Sequence, residues 1–378
     1  MEQLDFYGAK VQELYQYLEA SLFEIICRNL RRQLEKLGPD SDISIPAWQI
    51  DALADIGQLN EDAIAKIAEV SGLTPDVVRQ AVYSVGYDTI KEVDDRLTYR
   101  ERPPIPAALQ QRLDALVNQA VLNLDNLINQ TLLTSNGVVG VYQDIISRAA
   151  AEASIGLTTL DQAVSRTVNE WLEKGIQSGF VDKGGRTWSI ENYAKTAINS
   201  TINNAYRQGT QDRMADYGLY TVLIGSHPQA RPACSLIQGH VVDLRPMAAL
   251  PPGWKYKSIY DPVWNAHYKE PGGHAGVNCH HPHLVFDPEY MTNNMTQYNP
   301  EEARRADEIE AGRKAIANRI RKSKKKLMAY EALGDPAKTG YYKKLLNKQR
   351  KAMVQYVKDN DLKREYSLER VITPESDV

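Results

Sequence analysis

Residues 218–228 read Gly218-Leu219-Tyr220-Thr221-Val222-Leu223-Ile224-Gly225-Ser226-His227-Pro228, and here the pattern of the chain changes. Upstream, apolar residues recur at intervals of three and four, the spacing of helix faces. Between Gly218 and Gly225 they run without interruption and are rich in β-branched and aromatic types, the mark of a short strand. Gly239-His240-Val241-Val242-Asp243-Leu244 predicts a second strand, and Pro251-Pro252-Gly253 and Pro271-Gly272-Gly273 predict turns. The fold class that follows is mainly α: long N-terminal helices and a helical bundle, a small α+β module near 219–290, and a basic helical C-terminal tail.

Working back towards the N-terminus, Leu4 to about Leu37 predicts one long helix. Val11, Leu14, Tyr15, Leu18, Leu22, Ile25 and Ile26 form its apolar stripe, and Gly38-Pro39-Asp40 ends it. Residues 47–86 predict a compact pair of helices. Ile64, Ile67, Val70 and Leu73 make one face, Gly72 closes the first helix, and Thr74-Pro75-Asp76 opens the second. The spacing resembles a helix-turn-helix, but Arg79 is the one basic residue between Pro75 and Val82. A packed pair is therefore preferred to a DNA reader. After the stiff Arg102-Pro103-Pro104-Ile105-Pro106 break, helices are expected at about 107–132, 136–152 and 158–179. Gly184-Gly185 marks a turn. A further helix follows Ser189, with Ile190, Tyr193, Ala194, Ala197, Ile198, Thr201, Ile202, Ala205 and Tyr206 as its expected buried face, and ends at Gly218. Four regions result: 1–102, 103–218, 219–290 and 291–378.

The 378 residues are 43% hydrophobic and 25% charged, ordinary values for a globular protein. No apolar run is long enough to span a membrane, and the acidic N-terminus lacks the features of a secretory signal. Three cysteines without a regular framework point to a reducing compartment. The net charge of −3 hides an asymmetry: residues 1–300 carry 25 basic against 35 acidic side chains, and residues 301–370 carry 20 against 11. The basic tail, with Arg321, Lys322, Lys324, Lys325 and Lys326 at its centre, is the candidate for contact with nucleic acid or an acidic protein. A solvated helical tail is the equal alternative.

All seven histidines lie between His227 and His283, with Cys234 and Cys279. Three readings of this window stay open. Zinc takes thiolates and imidazoles in fours, and the set nominated here is Cys234, Cys279, His240 and His281, although no pair has the usual structural-site spacing. A thiol–imidazole nucleophile, or a metal-dependent nuclease centred on His274, Asn278, His280 and His281, is the second. In the third, the histidines are turn residues and the thiols small buried hydrophobes. The irregular spacing favours the third on the residues alone, with no catalytic residue or cofactor assigned.

The order of these residues carries a resemblance. Ser226-His227-Pro228, Ala230-Arg231-Pro232, Gln238-Gly239 and Gly276-Val277-Asn278-Cys279-His280-His281 follow a long helix and a short strand. In this the chain resembles the phage minor capsid protein 2 family, related to the phage Mu F-like head morphogenesis proteins. The family often has arginine where His280 stands, and a histidine cannot supply that fixed fork of donors. The resemblance implies a low-copy head component of a tailed phage or prophage, without catalytic activity, acting in head assembly or DNA delivery. The partners it implies are the portal, the major capsid protein or scaffolding proteins. It places the chain in the virion, and in the host cytoplasm during assembly. DNA would be met through the basic tail, and no membrane is involved.

Overall fold

The computed structural model describes residues 2–37, 43–105, 109–130, 135–156, 158–175, 177–181, 187–277 and 279–371. The elements run α1 (Glu2–Glu35), α2 (Ile45–Ala54), α3 (Ile56–Arg96), α4 (Leu109–Gln130), α5 (Ser135–Ser154), α6 (Leu160–Lys174), β1 (Gln177–Val181), β2 (Thr187–Ser189), α7 (Ile190–Asp216), β3 (Thr221–Ile224), α8 (Pro232–Ser235), β4 (Val241–Asp243), β5 (His283–Val285), α9 (Pro300–Leu333) and α10 (Pro336–Asp359). The fold is mainly α with one small α+β module, as the sequence pattern predicts. Among the described residues no helix is long and apolar enough to cross a membrane. The chain divides into two compact units. Unit 1 comprises Met1–Lys10, Pro75–Asn123 and Lys195–Gly312; unit 2 comprises Val11–Thr74, Leu124–Ala194 and Arg313–Val378.

Unit 2 is built around α1. Every residue from Tyr15 to Phe23 is buried, including Gln16, Glu19 and Ser21, so this middle stretch of the helix is covered on all sides rather than along one stripe. Polar groups in such a position need partners. Glu19 finds Lys325 of α9, and Gln33 donates to Asp55 at 2.6 Å. Ser44 caps α2, whose Trp48 donates its indole N–H to the Gln33 carbonyl at 3.1 Å. The tail folds back on itself: Ala317 and Ile320 of α9 pack with Leu346, Met353 and Val357 of α10. Asp335 caps α10 at the Gly334-Asp335-Pro336 break between the two tail helices.

Two expectations are corrected. The helix pair expected around Gly72 is one helix, α3, with Pro75 inside it. Thr74 donates to the Val70 carbonyl, one turn back, instead of capping a new helix. The buried stripe of α3 is then Leu59, Ala63, Val70, Thr74, Val78, Ala81 and Val85, while Ile64 and Leu73 are exposed. Separately, the helix expected to reach residue 179 stops at Gly175, whose φ of +65° and ψ of 178° are open to glycine and few others. Beyond it β1 pairs antiparallel with β2. The turn expected at Gly184-Gly185 lies outside the described residues.

Unit 1 holds the α+β module. Its sheet has the order β4-β3-β5, all antiparallel, with Val222 between Val242 and Val285. Val222, Ile224, Val242, Val285, Ile237 and Trp264 pack with Val93 of α3, Leu97 just past its end, and Met214 of α7 in one apolar core. Helix α7 ends in a Schellman motif: Leu219 N–H donates to Met214 O and Gly218 N–H to Ala215 O, both at 2.9 Å, with Gly218 at φ +73°. That turn aims the chain directly into β3.

Beside the sheet, Arg213 is buried and fully engaged. It donates to Asp94 Oδ1 at 2.7 Å, to Asp216 at 3.2 Å, and to the carbonyls of Pro103 and Pro104 at 2.8 and 3.0 Å. Asp94 also accepts from Tyr217 at 2.9 Å and pairs with Arg102 at 2.7 Å. Burial alone would raise the Asp94 pKa. The hydrogen bonds from Arg213 and Tyr217 and the charges of Arg213 and Arg102 outweigh it and hold the carboxyl below its ordinary value. A depressed folded-state pKa means stability that is present above the ordinary aspartate pKa of about 3.9 and lost as pH falls through the folded value. Replacing Asp94 with Asn removes the nearer and more buried of the two carboxylates that pair with the buried Arg213, leaving Asp216 at 3.2 Å. The expected cost is about 3–5 kcal/mol, read by urea denaturation at neutral pH, with a smaller difference from wild type at acid pH, once the wild-type carboxyl is itself protonated.

Candidate functional site

The loop after the second 3₁₀ turn of the module folds tightly on itself. His274 N–H donates to Ala266 O at 2.7 Å, Lys269 N–H to His274 O at 2.8 Å, Gly273 N–H to Glu270 O at 2.9 Å and Cys279 N–H to Gly276 O at 3.1 Å. A Cβ on Gly276 would stand 1.9 Å from the Glu270 carbonyl oxygen, so only glycine admits this path. The coil brings His274 beside Cys279. Pro232 starts the single turn α8, which presents Cys234 to the same point. The approach to β5 supplies His281.

Four buried donors therefore converge: Cys234, His274, Cys279 and His281. Cys279 Sγ lies 3.9 Å from Cys234 Sγ, 3.8 Å from His274 Nδ1 and 3.7 Å from His281 Nδ1. All four donor atoms lie within 4.8 Å of one another. The thiol–thiol contact pushes Cys234 up, with burial adding to it, and pushes Cys279 down against burial, helped by His274 and His281. Burial lowers His274 and drives His283 well below the usual imidazole range.

The surroundings hold this set in place. His281 Nε2 donates to Gln238 Oε1 at 3.2 Å, and the same oxygen accepts from His227 N–H at 3.1 Å. The His227 ring stacks on His281 at 4.2 Å, and burial, then the neighbouring His281, lowers its pKa to about 4. His274 Nε2 lies 3.0 Å from His283 Nε2, whose Nδ1 lies 2.8 Å from the Gln211 amide. Two arginines bind the carbonyls of the loop. Arg207 donates to Cys279 O at 3.0 Å; Arg231 donates to Val277 O at 2.7 Å and to Gly273 O. Ser226 donates to Thr296 O at 2.6 Å. Gly239, at φ +73°, has the Thr296 carbonyl 2.9 Å from where a Cβ would stand.

Three of the four nominated ligands, Cys234, Cys279 and His281, thus meet. His240 does not: its ring packs on Trp264 at 5.1 Å, and His274 takes the fourth position. Asn278 lies outside the described residues, and His280 is exposed rather than part of the cluster. Sequence reasoning does not find Arg207 and Gln211, because nothing in a helix rich in polar residues marks which of them turn inward; His283 stands in the histidine window but receives no role from its spacing. The cleft of about 350 Å³ in unit 1 is lined by Val85, Thr89, Tyr206, Ser226, Pro282 and Met295 among others, and by none of the four donors. A thiol–imidazole pair acting on a substrate needs an approach of that kind.

In the basic tail, Lys324 donates to the Glu369 carbonyl at 2.6 Å, Lys325 pairs with Glu19, and Lys326 is buried against Glu173 and Asn169. Arg321 donates to Asn318 at 2.5 Å, and Lys322 is exposed.

With this geometry in view, the comparisons with known proteins are specific. The family model described as Phage minor capsid protein 2 matches residues 1–358. A protein of Lactococcus phage LL-H named "Structural protein" is 27% identical over 366 residues, covering 94% of this chain and 97% of the relative. A second, from Lactococcus phage mv4 and also named "Structural protein", is 27% identical over 118 residues, covering 31% of this chain and 93% of the relative. No solved structure matches significantly.

The coiled loop makes a paired prediction. Gly276→Ala must displace the Glu270 carbonyl and should cost at least the 1–3 kcal/mol or so typical of overpacking. Gly272→Ala, where a Cβ meets nothing within 4 Å, should leave the thermal midpoint nearly unchanged. Equal midpoints for the two variants in differential scanning calorimetry would remove the loop from the account of the site.

Proposed function

The chain belongs to the phage minor capsid protein 2 family, and from that premise we propose that it serves as a structural, non-catalytic component of a phage head, docked on the portal or the inner capsid surface. The observation that carries this reading is a family match along almost the whole chain, joined by a relative named as structural that aligns nearly end to end. Two features of the molecule support it. The Cys/His cluster is enclosed, and the cleft of unit 1 is lined by none of its donors. The helical half leaves Ile50, Ile64 and Leu73 exposed, apolar side chains of the kind a protein partner covers.

The basic tail refines the part assigned to DNA. Lys324, Lys325 and Lys326 are committed to contacts within unit 2. Phosphate contact then falls to α10, where Lys344, Lys348 and Lys351 are exposed at intervals of four and three residues, on one face.

Mass spectrometry of purified virions and procapsids tests the main reading: the chain should be present at low copy, and its absence from both sinks the proposal. For the tail, Lys344→Gln, Lys348→Gln and Lys351→Gln together should weaken DNA binding by the purified chain. The slope of log affinity against log salt should become shallower by about 0.9 for each phosphate that a lysine no longer neutralises. An unchanged slope assigns α10 to a protein contact instead.

A further inference from the structure

We infer that Cys234, His274, Cys279 and His281 form a structural zinc site that locks the α+β module. The inference goes beyond the proposed head role and does not depend on it, since it concerns the isolated chain.

Geometry leads. A tetrahedral zinc with bonds of about 2.3 Å to sulfur and about 2.0–2.1 Å to nitrogen sets a sulfur donor about 3.5–3.8 Å from the others and its two nitrogens about 3.3 Å apart. The contacts from Cys279 Sγ to the other three donors are 3.9, 3.8 and 3.7 Å. The four residues are all buried, and the donor set of two thiols and two imidazoles is one that zinc fills completely. Two thiolates neutralise the dication, so the enclosed site carries no net charge once each thiol has released its proton to solvent. With four protein donors and no position left for water, the site is structural rather than hydrolytic.

The neighbouring hydrogen bonds prepare both imidazoles. Because His281 gives its Nε2 proton to Gln238, its Nδ1 lone pair faces the cluster. For His274, two proton orders fit the chain through His283 to Gln211. The Gln211 Nε2 atom lies 2.8 Å from His283 Nδ1, so metal at His274 Nδ1 selects the order in which His274 Nε2–H donates to His283 Nε2 and the Gln211 amide turns over to present its oxygen to His283 Nδ1–H. Histidine ligands to zinc typically have such a partner on the second nitrogen. Arg207 and Arg231 act on the backbone: they hold the carbonyls of Gly273, Val277 and Cys279, which fixes the loop carrying two of the four ligands. The residues of the sequence motif, Gln238, Arg231, Gly276, Cys279 and His281, thus all serve one centre.

The full chain, purified without chelator, should contain one zinc per molecule by inductively coupled plasma mass spectrometry. Mercurial modification of the thiols should release that zinc to a colorimetric indicator. Cobalt exchanged into the site should show the visible bands of tetrahedral coordination together with thiolate-to-metal charge transfer. Cys279→Ser should abolish retention of zinc, while His240→Ala and His280→Ala should keep it. Should Cys279→Ser fail to fold, the release and cobalt measurements on the wild-type chain still decide the matter. Gln238→Ala should keep the fold and weaken zinc affinity about 10–100-fold. Wild-type chain that stays zinc-free after refolding with added zinc overturns the inference. So does an intact mass short by two hydrogens, which would assign Cys234 and Cys279 to a disulfide.

Discussion

Unit 1 depends on a constraint that α7 imposes: two guanidinium groups, Arg207 and Arg213, are carried into its interior, and every buried donor must be matched. Arg213 meets this by drawing in Asp94 of α3 and the carbonyls of Pro103 and Pro104. Pro103 and Pro104 lie outside the described helices and strands, so no helix or sheet ladder claims their carbonyls. Arg207, six residues earlier, takes the carbonyl of Cys279 and the side chain of Asn204. One helix therefore anchors the proline-rich break on one side and the cysteine loop on the other. The Schellman turn at Gly218 then delivers the chain into β3 between them.

The polar interior of unit 2 obeys the same rule with opposite charge. Glu19, in the stretch of α1 that is buried all round, is met by Lys325, and the buried Lys326 meets Glu173. In sequence these lysines read as a basic run awaiting an anion from outside. In the fold much of that charge is used inside. Net charge over a segment thus overstates the charge on offer to a partner whenever a neighbouring helix carries buried carboxylates.

What sequence reading recovers here follows local periodicity. Helix α1, the helical face from Ile190 to Ala205, the β3 and β4 segments and the Gly334–Pro336 break are all visible, because each is set by spacing or by a residue with one conformational use. The failures share a cause too. Pro75 after Gly72 reads as a helix boundary, yet Thr74 bonds back to Val70 and α3 continues. Periodicity misplaces the stripe of α3 because Ile64 and Leu73 are apolar but exposed. Burial, not hydrophobicity, decides which face packs, and burial is tertiary.

The Cys/His cluster shows the limit most sharply. Cys234, Cys279 and His281 can be nominated by chemistry, but His240 and His274 are equal candidates in sequence. What separates them is the hydrogen bond from His274 N–H to Ala266 O, which curls the loop back toward Cys279. His240 instead sits at the entry to β4, where its carbonyl accepts from Ile224 N–H and its ring turns to Trp264. The ligand spacing is irregular because the ligands sit on a helical turn, a glycine-coiled loop and the approach to a strand, rather than on a single hairpin. Arg231 and Arg207 supply the order that a regular knuckle would otherwise provide. A cluster held this way is fixed by tertiary hydrogen bonds to its loop, so its members cannot be read from spacing along the chain.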